Sequence, residues 1–151
     1  MNSMVYVALV SASPIIELRG SIPLGIGLGL NPILVMMMAI LFNFLITFVI
    51  FFFLDTFHGI FMKFNFYNNF FNRRIERTRK KLESHIGTKT EFWALMIFVG
   101  IPLPMTGAWT GSVLAWFFGI RRIKAYLALF FGIVIAAVIV TLLSLGIFSA
   151  F

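Results

Sequence analysis

The sequence predicts an all-α integral membrane protein. It would be an inverted repeat of a re-entrant helical hairpin plus a transmembrane helix, with a cytoplasmic amphipathic basic helix between the repeats. Three observations predict this. Of 151 residues, 61% are hydrophobic and only 11% charged, against about 25% charged in an ordinary soluble domain. Two uncharged apolar runs have membrane length, and each follows shorter apolar stretches broken by Pro and Gly. The charges, finally, are gathered into clusters rather than spread along the chain.

The composition excludes a disordered chain, which needs low hydrophobicity and high charge. It also excludes a soluble globule, because 20 Phe and 8 Met on so short a chain cannot all be covered. Cys is absent, so there is no disulfide framework, thiolate metal site or cysteine nucleophile. No positive residue precedes Val5, which argues against a cleaved signal peptide.

The first repeat occupies residues 1–56, with a hairpin over 4–30 and a transmembrane helix over 32–56. Ile33 to Leu54 is uncharged for 22 residues, about 33 Å of helix at 1.5 Å per residue and enough to cross the hydrocarbon. The second repeat occupies 92–151, with a hairpin over 92–120 and a helix over 123–149. Its last uncharged run, Ala125 to Phe151, has 27 residues. The stretches Met4–Ile16, Phe92–Ile101 and Ser112–Ile120 have 13, 10 and 9 residues, too short to span as helices. They are bounded by Pro14, Gly20 and Pro23 in one half and Pro102, Pro104, Gly107 and Gly111 in the other, residues that break helices. Irregular backbone at that depth must be buried in protein or line a wet cavity.

The halves share more than element order. Pro14 and Pro102 are offset by 88 residues, and the stripe Ala39, Asn43, Thr47 matches Ala128, Gly132, Ala136 at an offset of 89. Small residues at this spacing let helices approach closely. The stripe should meet a broken hairpin, and that of Ala128, Gly132 and Ala136 is a candidate homodimer face.

Between the repeats, residues 57–91 form the linker. Residues 63 to 91 hold eight basic and three acidic side chains. The run Arg73 to Lys81 fits a helix, with Glu76–Lys80 and Arg79–Glu83 at i,i+4 and an apolar stripe of Ile75, Leu82 and Ile86. The positive-inside rule places it in the cytoplasm without any nucleic-acid partner. Upstream, aromatic residues from Phe61 to Phe71 interleave with Asn65, Asn68, Asn69 and Asn72, a mixture suited to headgroups. Arg121, Arg122 and Lys124 should also be cytoplasmic, which leaves both termini outside and the two halves inverted. Discontinuous segments meeting near the bilayer centre are a transporter design.

Fourteen of the charged residues thus set orientation, and Asp55 stands near a helix end with His58 at i+3. Glu17 and Arg19 remain, stranded in apolar sequence. An ionised group at the bilayer centre costs at least about 2.5–3.5 kcal/mol, so such a pair is a functional-site candidate. A mutual salt bridge holding the hairpin tip is the structural alternative, since Gly20 and Pro23 permit a turn that brings the two together. The second tip offers Thr106, Thr110, the Trp109 indole and, after Gly107, the N–H groups that open a helix, a place that favours an anion. Trp109 has interfacial anchoring as its plainer use. Asn43 is a mid-helix polar group, an interhelical hydrogen-bond donor or an ion ligand. Gly25 to Gly29 lacks the strand–turn–helix setting of a phosphate loop. Neither a metal-ligand set nor a nucleophile–base arrangement is visible, so an enzyme is not expected.

Glu-Leu-Arg-Gly-Ser-Ile-Pro (17–23) and Pro-Leu-Pro-Met-Thr-Gly-Ala-Trp-Thr-Gly (102–111) resemble the signatures of the small multidrug export family, a distant relative of the DedA-type (VTT-domain) membrane proteins. The resemblance covers nearly the whole chain. It implies the inverted-repeat fold, often dimeric, and relatives that move polyprenyl-phosphate carriers and other lipids, coupled to protons or sodium. Glu17 would match the acidic residues of those relatives. They carry arginines in the second hairpin, where this chain has none, so Arg19 would supply the cation. The expectation is a secondary transporter or flippase in the cell membrane for an anionic amphiphile such as a lipid phosphate. It would have no cofactor beyond a coupling proton or sodium ion, and its partners would be lipids and a second copy. The alternatives are a proton-driven exporter of lipophilic cations, which Arg19 would repel, and a membrane scaffold that transports nothing.

Overall fold

A computed structural model describes residues 3–61, 89–103 and 106–149. The basic run from Arg73 to Lys81 and the aromatic–asparagine stretch before it lie outside these residues. The described residues form six helices and no strand, in the order short, short, long, short, short, long. They are α1 (Ser3–Ala12), α2 (Glu17–Gly27), α3 (Pro32–Phe61), α4 (Lys89–Gly100), α5 (Ala108–Phe117) and α6 (Arg122–Ser149).

Two of them, Pro32–His58 in α3 and Arg122–Ile147 in α6, are long and apolar enough to cross a membrane. Their outer faces expose Ile33, Met37, Phe52, Ile123 and Leu142, each by more than half. Large apolar side chains turned outward along both spans are at ease in hydrocarbon and costly in water. The inner faces carry α3's Val35, Ala39, Asn43, Thr47 and Phe51 and α6's Ala125, Leu129, Ile133 and Ala137, all buried. Phe44, Phe48, Phe51, Tyr126 and Phe130 join the two spans through edge and stacked ring contacts, the arrangements that ring quadrupoles favour.

Each long helix packs on the short pair that precedes it, and each also packs on the second short helix of the other half: α2 lies against α6, and α5 against α3. Glycines permit the close contacts. A Cβ on Gly25 would stand 2.7 Å from Val35, and one on Gly132 would stand 2.8 Å from both the Met96 carbonyl and the Val99 side chain. The stripe Ala128, Gly132, Ala136 is therefore filled by α4 of the same chain. That corrects the expectation that it forms a face for a second copy.

The two short-to-long connections are alike in detail. The N–H groups of Gly29 and Leu30 donate to the carbonyls of Ile26 and Gly25, and those of Gly119 and Ile120 donate to Trp116 and Ala115. This pair of bonds caps a helix whose next residue is left-handed, and Gly29 and Gly119 take φ of +74° and +68°. The caps stand 90 residues apart. So do Leu18 and Ala108, Val35 and Ala125, and Ala39 and Leu129, all buried. These pairs share a spacing of 90 residues rather than the 88 and 89 of the prolines and the stripe, and the second tip, residues 101–107, is three residues longer than the first, 13–16.

Pro14 and Pro102 lie in the tips, as expected of helix breakers, whereas Gly20, Pro23 and Gly111 lie inside helices. Pro23 removes a bond to the Arg19 carbonyl, a loss of about 3 kcal/mol in an isolated helix interior. Packing of α2 against α1, α3 and α6 offsets it.

Candidate functional site

The first tip is only four residues long. Ser13 donates its hydroxyl to the Val10 carbonyl at 2.8 Å and accepts the Ile16 N–H at 3.3 Å, which closes the end of α1 and turns the chain. Glu17 then opens α2 with φ of +53°, the one non-glycine residue in the left-handed region among those described. A side chain there costs about 1–3 kcal/mol and persists only where the surroundings hold it. Gly20 makes room for the turn, since a Cβ there would strike the Ile16 side chain.

What holds Glu17 is the other half of the molecule. Its Oε1 accepts the backbone N–H of Trp109 at 3.2 Å, one of the unpaired donors in the first turn of α5. Gly107, which precedes α5, has no side chain to cap the helix. A Cβ on Gly107 would fall onto the Glu17 carboxylate. Glu17 therefore caps α5 from across the interface, and its negative charge meets the positive end of the helix dipole. The helix end at which the sequence places an anion is occupied by the chain's own carboxylate.

Arg19 points to the same place. Its Nη1 is 3.6 Å from Glu17 Oε2. Its Nη2 donates to Thr106 Oγ1 at 2.9 Å and to the Ile101 carbonyl at 3.3 Å, while Nε is buried without a partner. Trp109 adds a fourth tie by donating its indole N–H to the Ala12 carbonyl at 3.1 Å. That bond gives the indole a specific use within the fold beyond anchoring at an interface. The charged first turn of α2 and the neutral second tip thus form one knot. Both charged side chains are largely withdrawn from solvent, at 15% exposure for Arg19 and 7% for Glu17.

Of the candidates, Glu17, Arg19, Thr106, Gly107 and Trp109 converge. Gly20 and Pro23 shape α2 behind them. Thr110, half-buried in the first turn of α5, is bonded to neither charged residue among the described contacts. Asn43 lies elsewhere, donating to the Ser11 carbonyl at 3.3 Å. The carbonyls of Ile101 and Ala12 belong to the knot but were invisible in sequence, because any residue supplies a carbonyl. Their signal is the proximity of each to a proline, where helices end and carbonyls lose partners.

A second cluster joins α3, α5 and α6. Asp55 accepts from Arg122 Nη2, which is shared between its two carboxylate oxygens, and from the Trp116 indole N–H at 2.9 Å. Arg122 also lies 4.4 Å above the Phe51 ring, and His58 packs edge-on against Trp116. Asp55 is thus tied to Arg122 and Trp116, residues the sequence did not connect with it. Among the described residues no group of His, Cys, Asp and Glu could hold a metal ion.

The model of one protein family, described as "Putative small multi-drug export protein", matches residues 17–139. The chain belongs to that family. The match begins at Glu17, the first residue of α2, takes in α3 and the second tip, and ends within α6 at Ile139. Membership and the two long apolar helices together make this a membrane protein. No curated protein and no solved structure matches the chain.

Proposed function

We propose that this member of the family carries an anionic amphiphile across the membrane, with a lipid phosphate as the class that fits, and that the knot between the tips is its headgroup site. One observation carries the reading: a helix N-terminus and an arginine converge on a position that a carboxylate of the chain occupies. A phosphate offers the same acceptor chemistry with more charge, and helix N-termini are ready anion sites. A substrate headgroup competes with Glu17 for Arg19 and for the Trp109 N–H. Displacement or protonation of Glu17 gives the exchange, and the cycle is coupled to protons or sodium.

Several facts support a frame of two inverted repeats around this site. They are the 90-residue register, the matched caps, and the crossed packing of α2 on α6 and α5 on α3. In that frame the short pairs are re-entrant hairpins whose tips meet at the midplane. Residues 63–91 and Arg121–Lys124 face the cytoplasm, and both termini face outward. The exposed apolar faces of the short helices, such as Leu9 and Ile97, take cover from lipid or from a second copy in a homodimer. The reading assigns no catalytic residue.

The family's description favours a second reading, export of lipophilic cations with Glu17 as the shared proton and drug site. The geometry opposes it, because Glu17 already has a backbone donor and a cationic neighbour. Reconstituted vesicles separate the two. A fluorescent short-chain prenyl phosphate should cross in the presence of the wild-type protein, and Arg19→Ala and Glu17→Gln should each reduce the rate at least tenfold at equal protein content. Movement of tetraphenylphosphonium that depends on Glu17 and survives Arg19→Ala would establish the second reading instead. Movement of neither, with the protein folded, would leave a scaffold.

A further inference from the structure

The loose contact between Glu17 and Arg19 has a cause on the second tip. A carboxylate bonded directly to a guanidinium closes to about 2.7–2.9 Å, yet Arg19 Nη1 stops 3.6 Å from Glu17 Oε2. The guanidinium is held by Nη2, whose two N–H groups meet two acceptors, Thr106 Oγ1 at 2.9 Å and the Ile101 carbonyl at 3.3 Å. Thr106 is held in turn. Its hydroxyl oxygen stands 2.8 Å from the Ile101 carbonyl and 2.9 Å from the Leu103 carbonyl, and its single proton serves one of them at a time. The Ile101 carbonyl already accepts Arg19 and the Leu103 N–H, the latter at 2.8 Å, which occupies both of its lone pairs. The proton therefore goes to Leu103, whose carbonyl also accepts the Thr106 N–H at 3.3 Å. That leaves the lone pairs of the hydroxyl facing Arg19.

We propose that Thr106 is the positioning residue of the anion site: it holds the Arg19 guanidinium apart from Glu17 and does not itself ligate the headgroup. A hydroxyl whose proton is committed to a carbonyl and whose lone pairs face a cation has no donor to offer a phosphate. Of the five N–H groups of the guanidinium, the two on Nη2 stay with the second tip. The one on Nε, buried without a partner, and the two on Nη1, set loosely against Glu17, are left for a headgroup. When Glu17 leaves, the tie to Thr106 keeps the cation at the end of α4. Without that tie Arg19 closes on Glu17, in a desolvated place where a direct ion pair gains most from good geometry, and a headgroup must then break that pair to enter. The role rests on the proposed anion site and names the residue that keeps it open.

The test is equilibrium binding of a short-chain prenyl phosphate to the purified full-length chain, with thermal unfolding to show that each variant is folded. Thr106→Val removes the hydroxyl and keeps the branched shape. It should weaken binding about tenfold, the worth of one hydrogen bond to a charged group, while Thr106→Ser binds as the wild type does. The deciding variant combines Thr106→Val with Glu17→Gln. With the carboxylate charge gone Arg19 has nothing to close on, so this protein should bind within about threefold of Glu17→Gln alone. A hydroxyl that ligated the headgroup, or merely braced the tip, would cost the same factor in both backgrounds. Wild-type affinity in Thr106→Val, or an undiminished loss in the combined variant, overturns the role and leaves the anion reading intact. If Thr106→Val does not fold, Thr106→Ala takes its place, and failure of both to fold makes the hydroxyl structural and overturns the role. Absence of binding by the wild type overturns the anion reading, and the role with it.

Discussion

Two ion pairs among the described residues are built to opposite specifications. Asp55 takes Arg122 Nη2 between its two carboxylate oxygens, with a second donor from Trp116 and an aromatic ring beneath the guanidinium. Its side chains are about half exposed, where water screens the charges and leaves the pair modest in energy. Glu17 and Arg19 make a looser contact at 3.6 Å, well withdrawn from solvent, with a left-handed backbone at Glu17 and an unpaired nitrogen on Arg19. The first pair is short and joins two helices at the surface. The second is longer and sits where desolvation makes loose geometry most costly, which is what the proposed exchange at this site requires.

The largest test of this contrast is Gly107→Ala. The added methyl group would fall on the Glu17 carboxylate, expelling it from the end of α5 and leaving Arg19 without its acidic neighbour. Transport should fall to background, and the melting temperature should drop by an amount equivalent to about 1–3 kcal/mol. Wild-type transport in this variant would mean that Glu17 does not need its seat on α5.

Exchanging the charges gives the next largest difference. Asp55→Arg with Arg122→Asp should recover most of the stability that either single change removes. Glu17→Arg with Arg19→Glu should recover none, because the first would set a cation against the positive end of α5. Recovery at both pairs, read by thermal unfolding, would make the two equivalent. The smallest effect belongs to Asp55→Asn, which should lower stability by about 0.2–1 kcal/mol and leave transport within a factor of two. High salt should mimic it at Asp55 and not at Glu17.

Much of this was legible in the sequence. Apolar length located both long helices within a few residues at most ends, and scarcity of charge singled out Glu17 and Arg19. The tips were found because Pro14 and Pro102 end helices by a local rule. Pro23 and Gly20 obey the same rule only when nothing outside the helix opposes it, and here the packing of α2 does. The stripe on α6 was recognised, but its direction was not: a face made of Ala and Gly suits a partner within the chain as well as a second chain. The Asp55–Arg122 pair, 67 residues apart, had no local signal at all. Nor did the cap that Glu17 supplies to α5, since a helix lacking its own capping side chain does not announce which residue will come to it.

The central claim is that an anionic headgroup and the Glu17 carboxylate compete for one site. Equilibrium binding of a short-chain prenyl phosphate to the purified protein tests it most directly, with wild type, Arg19→Ala and Glu17→Gln compared side by side. The account predicts that binding is lost in Arg19→Ala and tightened several-fold in Glu17→Gln, where the competitor's charge is gone. Binding unchanged by Arg19→Ala, or weakened by Glu17→Gln, would contradict it.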